Sequence, residues 1–130
     1  MKLSTRTEYA IGILSVLARS DKVMPLQVIA QEASLAFTYA ASIMVTLRRA
    51  GMVRSVRGAR GGYTLGRPAQ RIQVLEIVEA VEGPVPSGQA YSCREVGCVY
   101  DHLRRGVRGS LGSLSLWDLM QEVQSRKGRR

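Results

Sequence analysis

The residues best equipped for chemistry stand close together late in the chain. Cys93, Cys98 and His102 are spaced as Cys-x4-Cys-x3-His, and His102 is the single histidine. Thiolates and imidazole are ligands for iron and zinc, so the spacing is competent for a metal site. Two neighbouring thiols also suit a redox switch, and cysteine packs well as a small apolar residue with no sensing role; the pattern leaves all three readings open. No run of about 18 apolar residues is present and the N-terminus lacks a secretory pattern. The chain is therefore expected in the cytoplasm, where thiols stay reduced or bind metal instead of forming structural disulfides.

A second constellation is cationic. The chain has 19 Lys and Arg against 10 Asp and Glu, a formal net charge of +9, and the surplus is uneven. Between Ala33 and Leu75 there is no carboxylate, yet Arg48, Arg49, Arg54, Arg57, Arg60, Arg67 and Arg71 all fall there. A one-signed surface raises the encounter rate with polyanions and repels itself until a partner neutralises it, which points to nucleic acid. A membrane partner is not expected: it would take a basic amphipathic helix with bulky apolar anchors, whereas these arginines straddle a hairpin pattern. RNA is disfavoured because no aromatic stacking platform is visible and side chains do not read its deep, narrow major groove. An enzyme is not expected either, since there is one His, no phosphate loop and no pair of carboxylates suited to one cleft.

The elements that must position these groups follow from apolar spacing. Ser4 caps a first helix whose Ala10, Ile13, Leu14 and Leu17 make one stripe. Pro25 suits the first position of a second, short helix with Leu26, Ile29, Ala30 and Ala33 inward. A third helix turns Ala40, Ile43, Met44 and Leu47 inward and ends at Gly51, leaving Thr38, Tyr39, Ala41 and Ser42 exposed at its start. Val53 and Val56, then Tyr63 and Leu65, flank a glycine-rich turn and predict a β-hairpin tipped by Arg57 and Arg60. Two tandem helices followed by a basic hairpin describe a helix-turn-helix with a wing. The major groove of B-DNA admits one helix, so Thr38, Tyr39 and Ser42 would meet base edges. Arg48, Arg49 and Arg54 would hold phosphate, and Arg57 and Arg60 at the wing tip would enter the neighbouring minor groove. For Tyr39, packing beneath the turn is the competing reading.

Beyond the wing, Val74, Ile77, Val78 and Val81 predict a fourth helix ended by Gly83 and Pro84. Residues 84–102 read as a loop carrying the cysteines. Val99, Leu103, Val107, Leu111 and Leu114 then recur at helical spacing, broken by Gly106, Gly109 and Gly112, a helix weak enough to need a partner. Ser115 and Asp118 resemble a capping box for a last helix, followed by a basic tail of Arg126, Lys127, Arg129 and Arg130. The fold class is mainly α with a small β-hairpin: a winged helix-turn-helix domain over 1–83, a sensor loop over 84–102, and dimerisation helices with a basic tail over 103–130. The apolar stripes with little core to cover them support a homodimer.

Residues 1–10, Ile29-Ala30, Thr38-Tyr39 and above all 47–65, with the run Arg54-Ser55-Val56-Arg57-Gly58-Ala59-Arg60-Gly61-Gly62-Tyr63, resemble the Rrf-two family of bacterial winged-helix transcription regulators, which includes the IscR, NsrR, RirA and CymR kinds. The resemblance is close over 1–83 and looser beyond. It implies a homodimer that binds palindromic operator DNA, and in several members an iron-sulfur cluster, 2Fe-2S among the types, sets DNA affinity. Cluster-binding relatives of the IscR kind carry three cysteines in this loop and this chain has two. Glu8 stands where some relatives supply a carboxylate, so the implied ligands are Cys93, Cys98, His102 and Glu8 of the partner subunit. The resulting expectation is a sequence-specific repressor whose grip on DNA follows a cluster or the thiol redox state at Cys93 and Cys98. The alternative is a cofactor-free regulator controlled by a partner protein docking on the dimer arm.

Overall fold

The apolar stripes become buried helix faces in a computed structural model that describes residues 2–128. Helix α1 spans Thr5–Ala18 and starts where the Ser4 hydroxyl accepts the Thr7 N–H at 3.2 Å. Its Ala10, Ile13, Leu14 and Leu17 are buried, as the spacing required. Helix α2 is Leu26–Glu32, and Pro25 precedes it as the cap instead of opening it. The reason is local: Met24 is held extended by a two-way backbone bridge to Tyr63, so Pro25 keeps an extended ψ of 148° while its carbonyl accepts the Ile29 N–H at 3.1 Å. Helix α3, Phe37–Arg49, buries Ala40, Ile43, Met44 and Leu47. The chain bends by 107° between α2 and α3, in the range of a helix-turn-helix. Gly51, at φ 74°, adopts the left-handed conformation that stops α3.

Strands β1, Val53–Val56, and β2, Gly62–Leu65, pair antiparallel with Val53 opposite Leu65 and Val56 opposite Gly62. The Met24 bridge adds a third extended segment beside β2. Gly62 is required there, because a Cβ on it would run into the Met24 carbonyl. A single 3-10 turn at Ala69–Arg71 leads into α4, Val74–Glu82, which Gly83 ends at φ 84°. One core unites these pieces, and Ile72 and Ile77 are buried in it together with the α1 and α3 stripes.

The C-terminal third departs from the sequence reading in two ways. Helix α5 runs Arg94–Leu111, so the loop expected over 84–102 ends at Cys93, and Cys98 and His102 lie on the helix. Pro84 and Pro86 keep the first part irregular, but no proline follows Cys93, and Gly97 serves as a contact point for the buried Gly88 instead of a break. Helix α6, Leu116–Lys127, begins with the expected Ser115–Asp118 capping box. It folds back onto the N-terminal body, with the Val74 N–H donating to the Leu114 carbonyl at 2.8 Å, the Leu116 N–H to the Ile72 carbonyl at 2.7 Å, and Leu116 fully buried. The arm expected over 103–130 is therefore split: α6 joins the core, and α5 keeps an uncovered apolar stripe. Arg126 pairs with Glu122 at 3.1 Å, while Arg129 and Arg130 lie outside the described residues. Among the described residues no single helix is long and apolar enough to cross a membrane.

Candidate nucleic-acid interface and thiol site

Helical geometry sorts the side chains of α3 once its buried face is known. With Ala40, Ile43, Met44 and Leu47 inward, the opposite stripe is Thr38, Ser42, Val45 and Arg49, all exposed, with Ala41 beside it. Thr38 sits in the first turn as expected. Val45 was not anticipated: it is apolar yet 41% exposed, in the middle of the outward stripe. Tyr39 leans the other way, half-buried against α1, its ring edge-to-face with Tyr9 at 5.4 Å between centroids and 89° between planes. Ser42 is exposed but already engaged. Its hydroxyl and carbonyl each accept from the Arg6 guanidinium at 3.2 Å, and Arg6 also donates to the Thr46 hydroxyl at 3.1 Å.

The charges surrounding this stripe are uncompensated. Arg48, Arg49, Arg54, Arg57 and Arg60 are exposed, and none pairs with a carboxylate among the described residues; the ion pairs there are Arg67–Glu76 at 2.8 Å and Arg126–Glu122. Arg54 makes one long bond, 3.4 Å, to the Gly66 carbonyl across the hairpin. Arg57 and Arg60 bracket Gly58 and Ala59 at the wing tip, where Gly58 takes a φ of 116° that glycine alone adopts without strain. The result is an apolar-and-hydroxyl helix face beside a two-stranded finger with open guanidinium groups.

The expected metal ligands are placed but not gathered. Cys93 caps α5 and is exposed; its thiol donates to the Glu95 carboxylate at 3.4 Å. The Glu95 carboxyl is held below its ordinary value, first by its own backbone N–H and then by that thiol. Cys98 is exposed and one helical turn before His102. His102 Nδ1 accepts from Arg105 at 3.3 Å. Glu8 is exposed on α1. Among the described residues, no three Cys, His, Asp or Glu side chains converge as a metal site. What fixes Cys93 is the docking of 84–93 onto α5: the Gly88 N–H donates to Asp101 at 2.9 Å, Gly88 packs on Gly97, and Tyr91 stacks on Tyr100 at 4.3 Å and 8°.

A helix-turn-helix with a basic wing defines a class of DNA-binding proteins, and similarity to known proteins narrows it. Residues 3–122 match the family described as Rrf2, iron-dependent transcriptional regulator, and the chain belongs to that family. It is 44% identical over 89 residues to the HTH-type transcriptional regulator IscR of Cereibacter sphaeroides, covering 65% of this chain and 57% of that protein. The solved structure of CymR, the global cysteine regulator of B. subtilis, superposes with a TM-score of 0.80 at 32% identity, covering 94% of this chain and 98% of that one. The T. potens IscR structure follows at 0.79 and 29%, covering 95% and 88%. The protein is a DNA-binding transcription regulator of Rrf2 type, and its relatives are regulators, not enzymes.

Proposed function

We propose that the chain works as a homodimeric repressor that seats α3 in the major groove of each half of a palindromic operator, with the wing at the flanking minor groove. The observation that carries this is the pairing of one exposed helix stripe, Thr38, Ser42, Val45 and Arg49, with wing arginines that have no carboxylate partner among the described residues. Dimerisation is supported by α5, where Val99 is 56% exposed and Leu103, Val107 and Leu111 continue its stripe. In a gel-shift titration at low salt, Arg60→Ala should weaken binding to operator and random duplex alike, while Thr38→Ala should chiefly alter which duplex is preferred. Equal losses on all duplexes for both variants would contradict that division.

The sensing element is proposed as the thiols at the start of α5. The donor set of one subunit does not fit a four-ligand cluster, because no third ligand joins Cys93 and Cys98 among the described residues; a cluster would need His102 to reorient and Glu8 of the partner subunit to complete it. Both thiols are exposed, which suits oxidation chemistry. A helix rises about 1.5 Å per residue, which puts residues five apart beyond the roughly 4.4–6.8 Å Cα separation of a disulfide. Oxidation that joins Cys93 to Cys98 must therefore unwind the first turn of α5, the element proposed to hold the dimer. Anaerobic preparation with iron and sulfide assay, then DNA binding before and after oxidant, tests this. Stoichiometric iron and sulfide would favour the cluster; binding indifferent to oxidant and to Cys93→Ala would favour regulation by a docked partner protein.

A further inference from the structure

We infer that Arg6, from α1, is a DNA-phosphate contact held in place by α3, and that the Ser42 hydroxyl positions Arg6 instead of reading a base. The inference rests on the DNA-binding role proposed above and assigns within it a residue that the sequence alone did not mark.

The geometry of the guanidinium carries the argument. Arg6 spends three N–H donors on α3: Nη1 on the Ser42 hydroxyl, and Nη2 on the Ser42 carbonyl and the Thr46 hydroxyl. An arginine has five donors arranged along two usable edges, each of which includes an Nη2–H. With both Nη2 hydrogens committed, neither edge remains whole, so the paired contact that reads guanine is lost. What remains is a permanent charge with two separate donors, a match for single phosphate oxygens. Its three acceptors are neutral, and no carboxylate pairs with it among the described residues. A half-buried cation held by neutral groups at the rim of the outward α3 stripe keeps its charge available for an anion approaching that face. Because Arg6 bridges α1 to α3, the contact also fixes the depth and angle at which α3 sits.

The test is a double-substitution cycle on the full chain, by fluorescence anisotropy with an operator duplex and a random duplex, each variant checked by thermal melting. Arg6→Ala should weaken binding to both duplexes roughly tenfold or more, since each subunit of the dimer loses a charged contact, and should flatten the salt dependence. Arg6→Lys, which keeps the charge but cannot bridge both hydroxyls, should lose less affinity and leave the salt slope unchanged. Ser42→Ala should weaken both duplexes in parallel, and should add nothing in an Arg6→Ala background. A change of base preference on Ser42→Ala, or an Arg6→Ala chain that binds as well as wild type while Arg60→Ala does not, overturns the assignment and leaves the DNA reading intact. A wild-type chain that binds no duplex at low salt overturns both.

Discussion

Tyr39 presents its ring edge to Tyr9 across the α1–α3 seam, a geometry in which the positive rim of one ring meets the negative face of the other. Removing either ring costs apolar contact, and removing both should cost less than the sum by the coupling energy of such pairs, about 0.5–1.5 kcal/mol. A urea-denaturation cycle on Tyr9→Ala, Tyr39→Ala and the double variant measures it; strict additivity would mean the pair is incidental. Glu82, at the end of α4, makes a comparable seam with the first turn of α1. Its carboxylate accepts the Ser4 N–H at 2.7 Å and the Thr7 hydroxyl at 2.9 Å, and the Ser4 backbone bond, as the largest cause, lowers its pKa below 4.5. A lowered folded pKa means stabilisation that is present above about 4.5 and fades as pH falls through the lower folded value. Glu82→Gln should therefore be less stable than wild type at neutral pH, with the gap closing as the solution is acidified toward pH values below that range. A gap that stays constant would show the bonds do not depend on the charge. Neither seam was legible in the sequence, because each joins residues 30 or more positions apart; Val45 escaped notice for another reason, since apolar spacing marks a buried face and this valine lies opposite it.

Within α5 the glycines have opposite roles that spacing alone does not separate. A Cβ on Gly97 would lie 2.6 Å from the Gly88 carbonyl, whereas one on Gly109 meets nothing within 4 Å. Exposed glycine in a helix interior costs about 0.8–1 kcal/mol against alanine, so Gly109→Ala should stabilise the chain by an amount of that order. Gly97→Ala carries the same helix advantage but must push residues 84–93 away, separating Tyr91 from Tyr100 and freeing Cys93. It should destabilise the chain and make that segment the first site cut in limited proteolysis. If both variants gain stability, the Gly88–Gly97 contact is not what holds the segment. Here the sequence was legible in part. The Ser115–Asp118 box, the Gly51 and Gly83 stops and the hairpin all declared themselves through local chemistry. The α5 start did not, because the proline-bearing stretch before it reads as a loop through 102 and what docks that stretch on the helix, the Gly88–Gly97 contact and the Tyr91–Tyr100 stack, follows no local spacing. The return of α6 likewise depends on backbone bonds between 72–74 and 114–116 that no local pattern encodes.

For the molecule as a whole, the decisive quantity is how its charge is spent. The carboxylate-free span from Ala33 to Leu75 carries seven arginines, of which, among the described residues, Arg67 alone finds an acid, Glu76. Binding that rests on phosphate neutralisation releases counterions, and log affinity then falls with log salt at a slope of about 0.9 per contact. In a twofold dimer each substitution acts twice, so Arg60→Ala should flatten the slope by about 1.8, while a monomer binding one site would lose about 0.9. The same titration therefore reports both wing contact and assembly. Leu103→Lys, placed on the uncovered α5 stripe, should bring the Arg60→Ala decrement down toward the single-site value and halve the mass seen by sedimentation at equal concentration. A full-size decrement in a Leu103→Lys protein that remains dimeric would move the interface off α5, since a buried lysine there could not be tolerated without a paired anion.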